Sequence, residues 1–145
     1  MQVVLRELIH EYERENRPQF HCAADIALEL RFIKDQPKEF MVVFFLDTKH
    51  KVLAREIVSI GIINASLIHP REVFRSAIHI NAHSIALGHN HPSGEAKFSA
   101  DDNHVTELLS KAGELLGIEL LDHVVVGEKG YESAKETGIL KRGSC

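Results

Sequence analysis

The sequence has no Trp, only four Pro and only two Cys among its 145 residues. The two thiols, Cys22 and Cys145, form no CxxC pair and suggest no disulfide framework. Such a chain suits a reducing cytoplasm. No apolar run approaches ~20 residues, so no segment predicts a membrane-spanning helix. The first seventeen residues, MQVVLRELIHEYERENR, carry charges throughout and lack the uninterrupted apolar stretch of a signal peptide. There is no internal repeat and no low-complexity segment. A dominant charge is missing too. Lys and Arg total 17 against 21 Asp and Glu, a net −4 that gives no global attraction to a phosphate backbone.

What is present reads as globular. Charged residues make up 26% and hydrophobic residues 44% of the chain, which argues against disorder. The length predicts one domain, which buries about 68–70% of its unfolded surface. Leu5, Leu8, Ile9 and Tyr12 fall at helical spacing, and Pro18 ends that element. Ala23, Ile26, Ala27, Leu30 and Ile33 form one face of a second helix. Residues 1–37 thus read as a helical extension, and 38–145 as the main domain.

Within that domain, EFMVVFFLD over 39–47 reads as a buried strand, and Val52 to Val58 as its hairpin partner. Alternation puts Val52, Ala54, Glu56 and Val58 on one face. A short strand is expected over Ala65 to Ile68. Pro70 starts a helix whose buried face is Val73, Phe74, Ala77 and Ile78. Ser84 to Gly88 is a strand, and 89–98 a loop. Ser99 opens a helix with apolar residues from Val105 to Leu116, stopped by Gly117. Ile118 to Val126 is a strand, and Glu132 to Thr137 a last short helix. The alternation predicts an α/β sandwich around a mixed sheet.

The informative surplus is histidine, with ten residues. Imidazole is the commonest metal ligand near neutral pH. The segment His89-Asn90-His91-Pro92-Ser93-Gly94 is followed by Ser99 and Asp102. Pro92 pushes His91 towards an extended backbone, where residues two apart point the same way. His89 and His91 can then face one point, and Asp102 returns to it from the first turn of the next helix. Two imidazoles and a carboxylate leave an open position on a tetrahedral metal, as in a catalytic zinc site. An HxH pair alone is weak evidence, since ten His in 145 residues give about 0.7 by chance. Ser99-x-x-Asp102 is also a capping box. Together the positions are expected only roughly 0.002 times.

These residues resemble the JAMM (MPN-plus, JAB1) zinc-metalloprotease motif. The form HNHPSG is similar to the RadC branch of that superfamily. So are Phe45-Leu46-Asp47, His69-Pro70-Arg71-Glu72-Val73, Asn81-Ala82 and Leu121-Asp122-His123-Val124-Val125-Val126-Gly127. The resemblance covers about residues 38–140. It implies a JAB1/MPN-like (cytidine-deaminase-like) α/β fold, a mixed sheet sandwiched by helices. It also implies that His89, His91 and Asp102 hold Zn²⁺, that an upstream glutamate acts as general base, and that Ser99 stabilises the oxyanion. Glu56 fits the glutamate by position, with Glu39 and Glu72 as rivals. Glu72 is better explained by the dipole at a helix N-terminus. His123 has two readings, orienting a ligand or making a structural hydrogen bond.

The implied activity is hydrolysis of a peptide or isopeptide bond in a peptide or protein substrate. The alternative is a DNA-repair-associated protein. Against it, residues 1–37 are too short for the helix-hairpin-helix segment usual in that branch, and no long basic stripe appears. A metal-free scaffold ranks last, because every motif position is filled.

Overall fold

The computed structural model describes residues 9–140. Six strands form one mixed sheet in the order β1-β3-β2-β4-β5-β6. They are β1 (Ile9–Glu11), β2 (Phe40–Leu46), β3 (Val52–Ile60), β4 (Ser84–Asn90), β5 (Glu119–Gly127) and β6 (Gly130–Ser133). The helices are α1 (Ala23–Glu29), α2 (Pro70–Ile80), α3 (Ala100–Leu116) and α4 (Ala134–Thr137). Only β4 and β5 pair in parallel, with α3 as their crossover.

Helices cover both faces, so the central strands can be apolar on both sides. On one face α1 and its flanks bury Phe20, Ile26, Leu30 and Ile33 against Val42, Phe44, Val124 and Val126. Each such side chain contributes about 1.5–3 kcal/mol of transfer free energy. On the other face α2 and α3 bury Phe74, Ala77, Val105 and Leu109 against Met41, Val43, Phe45 and Leu87. All seven residues of β4 are buried, including the polar Ser84, His89 and Asn90.

Several expectations change. Residues 9–17 form no α-helix: Ile9–Glu11 is an edge strand on β3, followed by a short 3-10 helix at Arg14–Asn16. The part of the expected helix before residue 9 lies outside the described residues. The segment 9–37 therefore supplies a strand and a covering helix to the domain instead of a helical extension. Residues 65–67 form a turn, not a strand. Asn64 Oδ1 accepts from the N–H groups of Ser66 and Leu67 and from the Ser66 hydroxyl, which favours a turn locally. Val52 packs on the α1 face while Ala54 and Val58 pack on the other. The pairings Phe45↔Ala54 and Leu46↔Val52 leave Leu53 extra, and this bulge reverses the alternation. Ile78 (59% exposed) and Leu115 (88% exposed) face solvent.

Candidate metal centre

The cluster forms where β4 leaves the sheet. Pairing of β4 with β2 and β5 sets His89 beside Met41 and Val125. His91 follows two residues later and stays in line, because its N–H donates to Val126 O at 3.1 Å. The loop then folds back on β5: Glu128 N–H donates to Gly94 O at 2.8 Å. Gly94 has φ +87°, which suits glycine. A Cβ on Gly127 would collide with the backbone at Gly94 and Ala96.

The loop delivers the chain to α3. Ser99 is the N-cap: its Oγ accepts from Asp102 N–H at 3.1 Å, and its N–H donates to Asp102 Oδ2 at 2.8 Å. The capping box turns the Asp102 carboxylate inward. One motif therefore starts the helix and aims the acid.

Three side chains converge. His89 Nε2 is 3.0 Å from His91 Nε2 and 3.2 Å from Asp102 Oδ1, and His91 Nε2 is 3.0 Å from Asp102 Oδ2. Among the described residues this is the one His/Cys/Asp/Glu group placed to hold a metal ion. Zinc–nitrogen bonds of 2.0–2.1 Å at tetrahedral angles put ligands ~3.3 Å apart, close to these separations. Donor chemistry also fits. His91 Nδ1 lies 2.9 Å from Glu95 O. A carbonyl only accepts, so Nδ1 carries the proton in the neutral ring and Nε2 presents a lone pair to the cluster. A cation relieves the repulsion between lone pairs this close.

The electrostatics agree. Burial pushes the Asp102 carboxyl up, but the adjoining His89 and His91 rings and the Ser99 N–H hold it far below the usual carboxylate range. When His91 also carries a proton on Nε2, that N–H donates to Asp102, which raises the His91 pKa, so a cation competes with a proton for this nitrogen. Burial drives the His123 pKa well down, so that ring is neutral.

The carboxylate next to this group is Glu39, just before β2. Its Oε1 lies 3.9 Å from His91 Nε2, and its Oε2 accepts from Ile63 N–H at 3.3 Å. The sequence reading preferred Glu56, but the sheet places that residue elsewhere. Glu56 pairs with Val43 on β3, two strands from β4 and one pleat repeat away from the Met41–His89 level. It makes no hydrogen bond or ion pair with His89, His91 or Asp102, and its Oε2 is buried without a hydrogen-bond partner among the described residues. Glu72 is exposed on α2, beside Arg71. Glu39, His91 and Ser99 share an open cleft of about 590 Å³ with Gly61, Ile62 and Ser93.

Two neighbours carry more than the sequence suggested. Asn90 is fully buried. Its Oδ1 accepts from Phe40 N–H at 2.7 Å, and its Nδ2 donates to Lys38 O at 3.0 Å. It thus clamps both residues flanking Glu39 from the strand that carries His89. Thr106 is buried one helical turn after Asp102, and its polarity within the buried stripe of α3 was the signal for it.

A family model described as the RadC-like JAB domain matches residues 21–139. The chain belongs to the RadC-like JAB family. Its RadC-like sequence is 52% identical to a UPF0758 protein of Chlorobaculum tepidum over 108 residues, 74% of this chain and 49% of that one. A UPF0758 protein of Methanosarcina mazei is 47% identical over 109 residues, 75% of this chain and 48% of the relative. One from Pelodictyon phaeoclathratiforme is 41% identical over 145 residues, 97% of this chain and 65% of the relative. The RadC-like chain spans about half to two thirds of these relatives. The match starting at residue 21 brings α1 into the family domain, consistent with its packing on the sheet.

Proposed function

We propose that this RadC-like domain is a zinc-dependent hydrolase that cleaves peptide or isopeptide bonds. The observation that carries the reading is the convergence of His89 Nε2, His91 Nε2 and Asp102 with the Glu39 carboxylate beside an open cleft. Nitrogen and carboxylate donors suit Zn²⁺. When bound, such a cation supplies Lewis acidity to a water and to a substrate carbonyl.

The chain's own groups supply the rest. Glu39 Oε1 faces the cluster, while Oε2 stays on the Ile63 N–H. Oε1 can therefore take a proton from water attacking the carbonyl carbon. It returns that proton to the amine nitrogen as the C–N bond breaks. The Ser99 oxygen already accepts from Asp102 N–H, which leaves its own hydroxyl proton free to point into the cleft. A donor there favours the developing oxyanion. The Glu95 carbonyl keeps the His91 proton on Nδ1, away from the reacting atoms.

The test loads the protein with zinc and offers it peptide, isopeptide and single-stranded DNA substrates. About one zinc per chain and cleavage of an amide substrate, abolished in Glu39→Gln with zinc retained, are expected. Cleavage of DNA alone, dependent on the same residues, would transfer the reading to a repair role. No bound metal would leave a scaffold.

A further inference from the structure

We propose that His123 is a positioning residue which, anchored by Thr106, sets the tautomer of His89 and so keeps the His89 Nε2 lone pair aimed at Asp102 and His91. The inference rests on the metal-centre reading given above.

Four groups form a closed circuit. The Thr106 hydroxyl lies 2.8 Å from the Asp102 backbone carbonyl and 2.6 Å from His123 Nδ1. His123 Nε2 lies 2.7 Å from His89 Nδ1. His89 Nε2 returns to the Asp102 carboxylate at 3.2 Å. The fold places all four. Leu87 pairs with His123 and His89 with Val125, so the two imidazoles stand on adjacent central strands. Asp102 and Thr106 are four residues apart on the face of α3 that covers them. Phe98 stacks edge-on against both rings, at 5.1 Å from His123 and 6.2 Å from His89.

Donor counting gives a direction to the three hydrogen bonds that run from Asp102 O through Thr106 and His123 to His89. A carbonyl only accepts, so the single Thr106 hydroxyl proton goes to Asp102 O. The Thr106 oxygen must then accept from His123 Nδ1–H. His123 is fully buried, where the neutral ring is favoured. A neutral imidazole with its proton on Nδ1 has a lone pair on Nε2. His89 Nδ1 must therefore donate to it, which leaves His89 Nε2 unprotonated and turned to the cluster. The direction is imposed by a backbone carbonyl three hydrogen bonds from His89. His91 obtains the same outcome directly from Glu95 O. Both imidazoles are thus pre-set by main-chain acceptors, one directly and one through two side chains. Orienting partners of this kind change metal affinity by about 10–100-fold.

The test is made on metal-free protein labelled with ¹⁵N in histidine, followed by titration with Zn²⁺ alone. Long-range proton–nitrogen spectra of the wild type should show His89 and His123 both as Nδ1–H tautomers. Thr106→Val keeps the side-chain shape but removes the acceptor for His123 Nδ1–H. It should abolish that tautomer order and weaken zinc binding by about 10–100-fold. His123→Leu should weaken it similarly. His123→Gln, whose amide offers both an acceptor and a donor, should recover most of the affinity. Because the spectra need no metal, the two readings fail separately. The Nδ1–H pattern without zinc binding would remove the metal centre and leave the hydrogen-bond order standing. Zinc binding with His89 protonated on Nε2 in the metal-free protein would overturn this inference. So would wild-type affinity in a folded Thr106→Val protein. Should His123→Leu fail to fold, the conservative Thr106→Val substitution still decides.

Discussion

At the scale of single residues the chemistry turns on which carboxylate meets the histidines. Glu39 Oε1 is 3.9 Å from His91 Nε2, and Glu56 makes no hydrogen bond or ion pair with the cluster, its Oε2 lying without a partner among the described residues. Glu39→Gln should keep zinc and lower turnover by about 10²–10⁴-fold, while Glu56→Gln leaves turnover within a few-fold. Steady-state kinetics with elemental analysis of both variants check this. Ser99 caps α3, and in the proposed mechanism its hydroxyl has a second duty. Ser99→Ala removes the cap of α3, costing about 1 kcal/mol in denaturant unfolding. If its hydroxyl also serves the oxyanion, kcat should fall by about 10²–10³-fold, far more than so small a loss of stability explains. Asn90→Ala strips buried partners from Phe40 N–H and Lys38 O. It should cost about 1–3 kcal/mol and reduce turnover more than zinc affinity, since it loosens the segment carrying Glu39 but not His91 or Asp102.

At the scale of elements, the loop between β4 and α3 is held by its closeness to β5. Gly127→Ala would place a methyl against the backbone of Gly94 and Ala96, which cannot swing aside as a side chain could. Overpacking of this kind costs about 1–3 kcal/mol. Here it should also displace His91, so calorimetric zinc titration ought to weaken alongside the loss of stability. A variant that loses stability and binds zinc normally would show that the loop tolerates the shift. Element types were legible wherever local chemistry dominated. Pro70 starts α2, Ser99 caps α3, and Gly117 at φ +72° ends it. They were not legible where pairing partners decided. The helical spacing of Ile9 and Tyr12 gives way to an edge strand, because β3 offers an open row of hydrogen-bonding groups there. The face assigned to Val52 was reversed by a bulge, which alternation cannot register.

At the scale of the whole molecule, a metal that binds only the folded state stabilises it by mass action. At free zinc about 100-fold above its dissociation constant, unfolding should become harder by about 2.7 kcal/mol. Thermal unfolding with and without chelator reads this directly, as a fall in Tm on chelation. The net charge of −4 predicts no steep salt dependence of any DNA association, and a binding isotherm at two ionic strengths tests it. No helix among the described residues is long and apolar enough to cross a membrane.

His89, His91, Ser99 and Asp102 could be found along the chain because strand geometry and a capping box act over a few residues. Their grouping needs only an extended backbone, a tight loop and a helix start. Glu39, Asn90, Thr106 and His123 could not be placed that way. Each makes its bonds across strands or between sheet and helix, over separations as large as the 52 residues from Asn90 to Lys38 and the 54 to Gln36. Which carboxylate stands at the cluster follows from strand order and register, quantities set by the packing of the whole sheet. Local spacing carries no trace of them.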